Sequence, residues 1–241
     1  MLEATNIVKA FGAFRAVDGA SVSVAAGEIL GLIGPNGAGK STFFNALAGD
    51  SQPTSGTITF NGRDITALPP EGHARLGIAR TFQVPATFEA MSVLENVMVG
   101  AFLRHPGRRE AEAAAAEMLA FTGLDHVAKA RAGSLGTPGR KRLEIARALA
   151  TGPLLLLLDE ALAGLNPSEV RSAIELVRRI HARGITLVIV EHIMQVILSL
   201  ADRAVVFHQG RVIAAGPPRA VVDDPAVVSA YLGRSMRRVR P

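Results

Sequence analysis

The segment 34–41 constrains the possible folds of this chain more than any other part of the sequence. It reads Gly-Pro-Asn-Gly-Ala-Gly-Lys-Ser and matches the pattern G-x-x-x-x-G-K-[ST]. A short apolar run precedes it at 28–33, and residues 41–48 follow it without a helix breaker. A strand, a glycine-rich loop and a helix in this order predict a loop that binds a nucleoside triphosphate. A glycine-rich turn without a ligand is the alternative, and the presence of both Lys40 and Ser41 argues against it.

Each part of this motif predicts a contact with the nucleotide. Glycines let consecutive backbone N–H groups surround the α- and β-phosphates, while Lys40 reaches the β- and γ-oxygens and the Ser41 hydroxyl ligates Mg²⁺. The expected contacts come from Gly34, Pro35, Asn36, Gly37, Ala38, Gly39, Lys40, Ser41 and Thr42.

The composition fits a single globular domain. A chain of 241 residues with 49% hydrophobic residues can bury one large core, or a core with a satellite subdomain. It contains no cysteine, so neither disulfides nor thiolate metal sites are expected. The apolar runs at 154–158 and 185–190 are shorter than the ~20 residues that span a bilayer, and the N-terminus does not resemble a signal peptide. We therefore expect a soluble or peripherally attached protein.

The charge distribution gives little support to a nucleic-acid partner. The net charge is +5, and the basic residues are spread along the chain, so we expect no nucleic acid to bind. The exception is the tail, with Arg234, Arg237, Arg238 and Arg240. A solvated terminus is the favoured interpretation of the tail, and contact with anionic lipid headgroups beside a membrane partner is the alternative.

The order of elements predicts an α/β fold. A strand at 56–60 is closed by the turn signal Asn61-Gly62, and a second short strand ends at Thr81-Phe82. Helical spacing of apolar residues then dominates from Met91 to about Ala132 and indicates a helical insertion. Strands at 154–158, 185–190 and 204–207 alternate with helices that begin at Asn166-Pro167 and after His192. This alternation predicts a parallel sheet covered on both faces.

The strand at 154–158 ends in two acids, Asp159 and Glu160. Two carboxylates at the end of an apolar strand are costly unless something uses them. We expect Asp159 to hold Mg²⁺, directly or through water, and Glu160 to orient or deprotonate the attacking water. His192 and Gln83 also follow predicted strands, but each taken alone is as consistent with a surface residue.

These features occur in an order and spacing that resemble the ATP-binding subunit of an ABC transporter. Within that group, several segments resemble the ATPases of branched-chain amino acid importers of the LivG type, namely 80–83, 92–97, 142–147, 163–167 and 230–233. The resemblance implies a P-loop NTPase (RecA-like) α/β fold, with a mostly parallel sheet core, an antiparallel β subdomain and an inserted α-helical subdomain. Residues 1–85 and 150–241 would form the nucleotide-binding core with the β subdomain, and 86–149 the helical subdomain.

The resemblance also implies roles for single residues. Phe11 would stack on adenine, although a core phenylalanine is the alternative, and Val17 would join the ATP contacts. Gln83 would contact Mg²⁺ and the attacking water, and His192 would hydrogen-bond the γ-phosphate. Asn166 would lie on the loop that faces a second subunit. The implied catalytic set is Glu160, His192 and Gln83, and the implied metal set is Ser41, Gln83 and Asp159.

The function implied by the resemblance is ATP-driven import of branched-chain or other hydrophobic amino acids, with ATP and Mg²⁺ as cofactors. Its partners would be transmembrane permease subunits, a second identical or homologous ABC ATPase subunit and, indirectly, a substrate-binding protein. The expected location is peripheral, on the cytoplasmic face of the inner (plasma) membrane. Two alternatives stay open: a nucleotide-gated dimerising subunit with little hydrolysis, and an ATPase for another substrate such as urea or lipopolysaccharide.

One segment departs from the family pattern. The family completes each ATP site with a signature loop from the opposite subunit, usually Leu-Ser-Gly-Gly-Gln, and this chain has Leu135, Gly136, Thr137, Pro138 and Gly139 instead. The serine is missing, and a proline offers no N–H donor. We therefore expect an impaired site wherever this chain supplies the signature loop to a partner, unless the displaced Thr137 hydroxyl substitutes. Ala161 stands where proline is usual after the acid pair, with a mild effect expected.

Overall fold

The computed structural model describes residues 1–237, with side chains described as far as Tyr231. The chain divides into two compact units. The first unit comprises Met1–Pro70 and the chain from Thr186 onward, and the second unit comprises Glu71–Ile185. Of the basic tail, Arg234 and Arg237 lie in the last helix, whereas Arg238 and Arg240 lie outside the described residues.

Strands and helices follow the order that the sequence predicts. The strands are β1 (Leu2–Phe11), β2 (Phe14–Val24), β3 (Ile29–Ile33), β4 (Ser55–Phe60), β5 (Arg63–Asp64), β6 (Ile78–Arg80), β7 (Leu155–Asp159), β8 (Thr186–Val190), β9 (Arg203–His208) and β10 (Arg211–Gly216). The helices are α1 (Lys40–Leu47), α2 (Pro70–Leu76), α3 (Val93–Ala101), α4 (Arg108–Thr122), α5 (Thr137–Ala150), α6 (Pro167–Ala182), α7 (Met194–Leu200), α8 (Pro218–Val222) and α9 (Pro225–Arg237). Two short 3₁₀ turns, Asp125–Val127 and Ala132–Ser134, lie between α4 and α5.

The first unit contains two kinds of sheet. Strands β2-β1-β4-β5 pair in that order, all antiparallel. The turn between β4 and β5 is Asn61-Gly62 with φ of 49° and 78°, as a two-residue hairpin of the favoured hand requires, so that turn prediction is confirmed. In the other sheet, β3 pairs in parallel with β8 on one side and β9 on the other, and β10 pairs antiparallel with β9. All five residues of β3 are buried, as expected for a parallel strand covered on both faces.

The second unit combines a parallel strand pair with a helical cluster. Strand β6 runs parallel to β7. Helices α3, α4 and α5 pack around an apolar core that includes Val97, Leu119 and Leu143. Helix α3 begins with a capping box, in which Ser92 accepts the N–H of Glu95 and the Glu95 carboxylate accepts the N–H of Ser92. The predicted helical insertion is therefore present in the fold.

The combination of parallel and antiparallel sheets with helices confirms the predicted α/β fold class. The bounds of the two compact units differ from those of the predicted subdomains, because β6 and β7 belong to the same unit as helices α3 to α5. The predicted division into subdomains therefore stays a prediction. None of the helices in the described part of the chain has the length and hydrophobicity that a membrane-crossing segment needs.

Candidate active site

The phosphate loop connects β3 to α1, and two of its glycines are required by close backbone contacts. Gly34 has φ of 148° and Gly39 has φ of 101°, a region that residues with a side chain rarely adopt. A Cβ atom on Gly34 would also collide with the carbonyl oxygen of Phe207, and one on Gly39 with the carbonyl oxygen of Ala16. Both positions therefore exclude a side chain.

Lys40 begins α1 and turns its side chain back over the loop. It is only 6% exposed, and its Nζ donates to the carbonyl oxygens of Gly34 at 2.8 Å and Pro35 at 3.1 Å. Ser41 is exposed and Thr42 is half-buried on the first turn of the same helix. An ammonium group and backbone N–H groups at a helix N-terminus form a favourable environment for phosphate oxygens.

The proposed adenine contact lies at the turn between β1 and β2. Phe11 is 58% exposed, so the alternative of a core phenylalanine is wrong. Phe14, which sequence reasoning missed, pairs with Phe11 across the turn and is also exposed. The Lys9 ammonium lies 5.4 Å from the centre of the Phe11 ring. Val17 is fully buried in β2, and its contact with a nucleotide stays a prediction.

His192 lies at the same sheet edge as the phosphate loop. It follows β8 by two residues, and the last residue of β8, Val190, pairs with Leu32 of β3. The side chain of His192 is exposed, whereas the preceding Glu191 is fully buried. The topology therefore leaves the imidazole accessible beyond the carboxyl end of β3.

The second unit holds the acid pair. Asp159 is the last residue of β7, is 4% exposed, and has one carboxylate oxygen 3.4 Å from Nη2 of Arg80. Glu160 is half-buried and has φ of 45°, which is uncommon for a residue other than glycine. Gln83 donates from Nε2 to Oε2 of Glu160 at 2.8 Å. The fold thus brings together two of the three predicted catalytic residues.

Two basic residues beside the acids were missed by sequence reasoning. Arg80 was noted only as part of a resemblance, yet it approaches Asp159 and stacks 4.5 Å from the centre of the Phe82 ring. Lys141 donates from Nζ to the backbone carbonyl oxygen of Glu160 at 2.9 Å. Neither contact has a local sequence signal, because the partners are 79 and 19 residues apart.

The three side chains predicted to hold a metal ion all carry oxygen donors. Ser41, Gln83 and Asp159 offer hydroxyl, amide and carboxylate oxygens, which are hard ligands that Mg²⁺ prefers. Within the described residues there is no cluster of three or more His, Cys, Asp or Glu side chains that could hold a metal ion.

The signature loop directly precedes α5, and the N-terminus of this helix has no side-chain cap. Gly136 is the N-cap residue and makes no side-chain capping hydrogen bond, and Pro138 occupies the first helical turn. Proline is tolerated there because the first N–H groups of a helix have no partner within the helix. Arg140 holds the loop by donating to the carbonyl oxygens of Leu135 and Gly133, each at 2.9 Å. The segment is therefore ordered without the usual serine.

Asn166 has a local structural role. It is the N-cap of α6, and its Oδ1 accepts the N–H groups of Ser168 and Glu169, each at 3.0 Å. Its side chain is exposed. The cap explains the residue at this position, and contact with a second subunit stays a prediction.

The C-terminal helix adds a neighbour to the phosphate loop. Residues Pro35 to Ala38 line a cleft of about 540 Å³ together with His208 at the end of β9, Gln209 directly after it, and three residues of α9. Burial raises the pKa of Tyr231 on α9, and a hydrogen bond from the Gly34 N–H acts in the opposite direction. Tyr231 therefore contacts the first glycine of the loop.

Comparison with known proteins identifies the family. Residues 17–163 match the family model described as ABC transporter, and residues 211–236 match the one described as branched-chain amino acid ATP-binding cassette transporter. The chain belongs to the ABC transporter ATP-binding family. This confirms the resemblance on which the sequence predictions rest, and it makes the chain a nucleotide-binding ATPase subunit.

Relatives match over nearly the whole chain. The high-affinity branched-chain amino acid transport ATP-binding proteins BraF of Pseudomonas aeruginosa and LivG of Salmonella typhimurium are each 38% identical, and the match covers 98% of each chain. The lipopolysaccharide export system ATP-binding protein LptB of Acidithiobacillus ferridurans is 39% identical, with 97% of each chain covered. A solved structure, the ADP conformation of an ATP-binding cassette of an ABC transporter, is 35% identical with a TM-score of 0.88 and covers 97% of this chain and 98% of that one.

Proposed function

We propose that this chain hydrolyses ATP to energise an importer of branched-chain or other hydrophobic amino acids. The relatives BraF and LivG support this substrate class, and so does the match at 211–236, a segment outside the general cassette match. Export of lipopolysaccharide is the second and less supported candidate: LptB is 39% identical over 97% of this chain, but residues 211–236 match the branched-chain amino acid family model. The observation that carries the hydrolytic role is the hydrogen bond between Gln83 and Glu160.

The proposed chemistry assigns one task to each residue. Lys40 and the N–H groups of the loop bind the phosphates, and His192 donates a hydrogen bond to a γ-phosphate oxygen. Glu160 accepts a proton from water as the water oxygen attacks the γ-phosphorus, and the bond to the β,γ-bridging oxygen breaks to release ADP. Gln83 holds the carboxylate of Glu160 in place. Mg²⁺, held by Ser41, Gln83 and Asp159, would supply neutralisation of charge on the phosphate oxygens.

We also propose that the second unit docks on membrane permease subunits. Apolar side chains are exposed along the segment that contains Gln83, at Phe82, Val84 and Phe88, and on α3 at Val99 and Phe102. Exposed apolar residues grouped near a functional residue are typical of an interaction surface. Such a partner would keep the chain peripheral, on the cytoplasmic face of the membrane. A second ATPase subunit would supply the opposite signature loop.

The first prediction concerns hydrolysis. Replacing Glu160 with Gln removes the proton acceptor while keeping the size and one side-chain oxygen that can accept the hydrogen bond from Gln83. Turnover of MgATP by the purified chain should fall about 100-fold or more, with nucleotide binding retained. Glu175→Gln is the matched control, since this acid is exposed and pairs only weakly with Arg178 at the surface, and its turnover should equal that of the wild type. Equal turnover in Glu160→Gln and the wild type would contradict the proposed role.

The same preparation tests the substrate class. The chain is reconstituted with its co-purified permease subunits in proteoliposomes, and ATP-dependent uptake of radiolabelled leucine is measured. Uptake that is lost in Glu160→Gln supports amino acid import. ATP turnover that responds to lipopolysaccharide and not to leucine would favour the second candidate instead.

A further inference from the structure

Three charged residues lie on one face of α5, after the signature loop. Lys141, Glu144 and Arg147 are spaced by three, so their side chains project from the same side of the helix. Lys141 is 8% exposed, Glu144 is 3% exposed and the Arg147 side chain is 15% exposed. Burying charged groups costs free energy unless they are well paired and hydrogen-bonded. The contacts made by this face therefore need an explanation.

Lys141 acts on the main chain of Glu160. Its Nζ donates to the Glu160 carbonyl oxygen at 2.9 Å, and the N–H of Ala163 donates to the same oxygen at 3.1 Å. Glu160 adopts φ of 45°, which a residue with a side chain keeps only when its surroundings hold it there. Fixing this peptide group fixes the direction of the Cα–Cβ bond that carries the carboxylate. The two hydrogen bonds thus restrain the backbone conformation from which the Glu160 side chain projects.

Glu144 and Arg147 hold the segment that contains Gln83. Oε1 of Glu144 accepts the N–H of Ala86 at 3.3 Å, and Nη1 of Arg147 donates to the Ala86 carbonyl oxygen at 2.7 Å. Glu144 also accepts the N–H of Phe82, so it is bonded on both sides of Gln83. Residues 81–91 form neither a helix nor a strand, so these side chains supply hydrogen bonds that secondary structure would otherwise provide.

Glu144 and Arg147 also contact each other directly. Nη2 of Arg147 lies 3.7 Å from Oε1 of Glu144, and the Arg147 guanidinium stacks 5.4 Å from the centre of the Phe88 ring. Burial raises the pKa of Glu144 in spite of the N–H bonds from Ala86 and Phe82 and the charge of Arg147. An acid kept in so unfavourable an environment, with both backbone contacts in one segment, indicates a positioning role.

We propose that the charged face of α5 positions both catalytic groups of the second unit: Lys141 orients Glu160, and Glu144 with Arg147 orients Gln83. All three are positioning residues, because none is assigned a contact with the nucleotide. The proposal rests on the roles given to Glu160 and Gln83 under the proposed function. It makes α5 a single rigid element that sets the distance between the carboxylate and the amide.

The test compares turnover with nucleotide binding in single variants. Lys141→Met removes the ammonium at nearly constant length, and Glu144→Leu removes the acceptor. Each should lower kcat by about tenfold or more and leave KM for MgATP within about threefold, because the geometry of the attack changes and phosphate binding does not. Lys141→Arg and Glu144→Gln keep the donor and the acceptor and should recover most of kcat. The exposed Lys129→Met and Glu112→Leu are matched controls with expected wild-type kcat.

Rates are expressed per nucleotide site, counted by equilibrium binding of a trinitrophenyl-ATP probe well below the melting temperature of each variant. A merely stabilising role would lower Tm and the number of sites but not kcat per site. Wild-type kcat in both Lys141→Met and Glu144→Leu, with Glu160→Gln inactive, would overturn the inference and leave the proposed function intact. Full activity of Glu160→Gln would instead overturn the proposed function.

A double-variant cycle separates the two routes. In a Gln83→Ala background, Glu144→Leu should lower kcat no further, because it acts through Gln83, whereas Lys141→Met should still lower it about tenfold. If the losses in kcat for Gln83→Ala and Glu144→Leu are additive, Glu144 does not act through Gln83, and that part of the proposal is overturned. Amide hydrogen exchange of a peptide covering 82–90 gives a readout without turnover: it should speed up about tenfold in Glu144→Leu and stay unchanged in Lys141→Met. Unchanged exchange in Glu144→Leu would also count against the proposal.

Discussion

Glu144 makes the stability of the protein depend on pH. Its pKa lies above the ordinary value of 4.5 because of burial, and the N–H bonds from Ala86 and Phe82 with the charge of Arg147 offset this only partly. Folding therefore favours the neutral acid. The stabilising contribution is complete below pH 4.5 and is lost as the pH rises through the raised pKa, where the buried carboxylate must form.

Glu144→Gln should remove this pH dependence. The amide does not ionise, so the free energy of unfolding of the variant relative to the wild type should increase as the pH rises above 4.5 and through the raised pKa of Glu144. Urea unfolding followed by circular dichroism at several pH values measures the difference. Glu112→Gln on the exposed face of α4 should show a difference that is constant with pH. A constant difference for Glu144→Gln as well would disprove the expectation.

At the residue scale, the role of a residue could be predicted when the residues that indicate it are neighbours in the sequence. Lys40 and Ser41 could be assigned because the loop motif is contiguous, and Asp159 and Glu160 because two acids end an apolar run. Lys141 could not, because its partner carbonyl belongs to a residue 19 positions away and a lysine in a helix usually reaches solvent. Phe14 was missed because an exposed ring in a turn has no pattern of its own.

At the element scale, the existence of strands and helices was predictable, but several ends were not. The run of leucines at 154–158 has no alternation, so its limits cannot be read from a period; β7 is Leu155–Asp159, and Leu154 is exposed. The short strand predicted to end at Thr81-Phe82 ends at Arg80, after which the chain is held by side chains of other elements. Tertiary contacts of this kind leave no periodic signal.

The start of α5 is where the sequence departs most from the family pattern. Gly136 gives the helix no side-chain cap, and Pro138 removes one N–H from its first turn. Gly136→Ser with Pro138→Gly would restore both a hydroxyl and an N–H at a helix N-terminus, where phosphate oxygens bind well. Turnover by the chain in a homodimer should rise several-fold.

Steady-state ATP turnover of the double variant checks this expectation. Gly107→Ser is the matched control, since Gly107 is the N-cap of α4 and likewise makes no side-chain capping bond. That control changes a helix cap without touching the signature loop and should leave turnover as it is. Unchanged turnover in Gly136→Ser/Pro138→Gly would show that the altered loop does not limit hydrolysis.

At the scale of the whole molecule, the two units contribute different functional groups. The phosphate loop, Phe11 and His192 belong to the first unit, whereas Gln83, the acid pair and the signature loop belong to the second. Neither unit alone contains the full set that the proposed reaction needs. The order of these groups along the chain was predictable from the sequence, but the grouping of β6 and β7 with the helices was not, because it depends on contacts distant in sequence.

The contact between α9 and the phosphate loop has a practical consequence for kinetics. Tyr231 is the only tyrosine of the chain, and there is no tryptophan, so this ring dominates the intrinsic ultraviolet emission. Because Gly34 donates to its hydroxyl, binding of MgATP at the loop should change the emission intensity. A fluorescence titration with MgATP checks this, and the Tyr231→Phe variant, which lacks tyrosine emission, is the control. Constant emission while equilibrium dialysis detects bound nucleotide would refute it. A change in emission would give a native optical reporter for stopped-flow measurement of nucleotide arrival and departure without any attached dye.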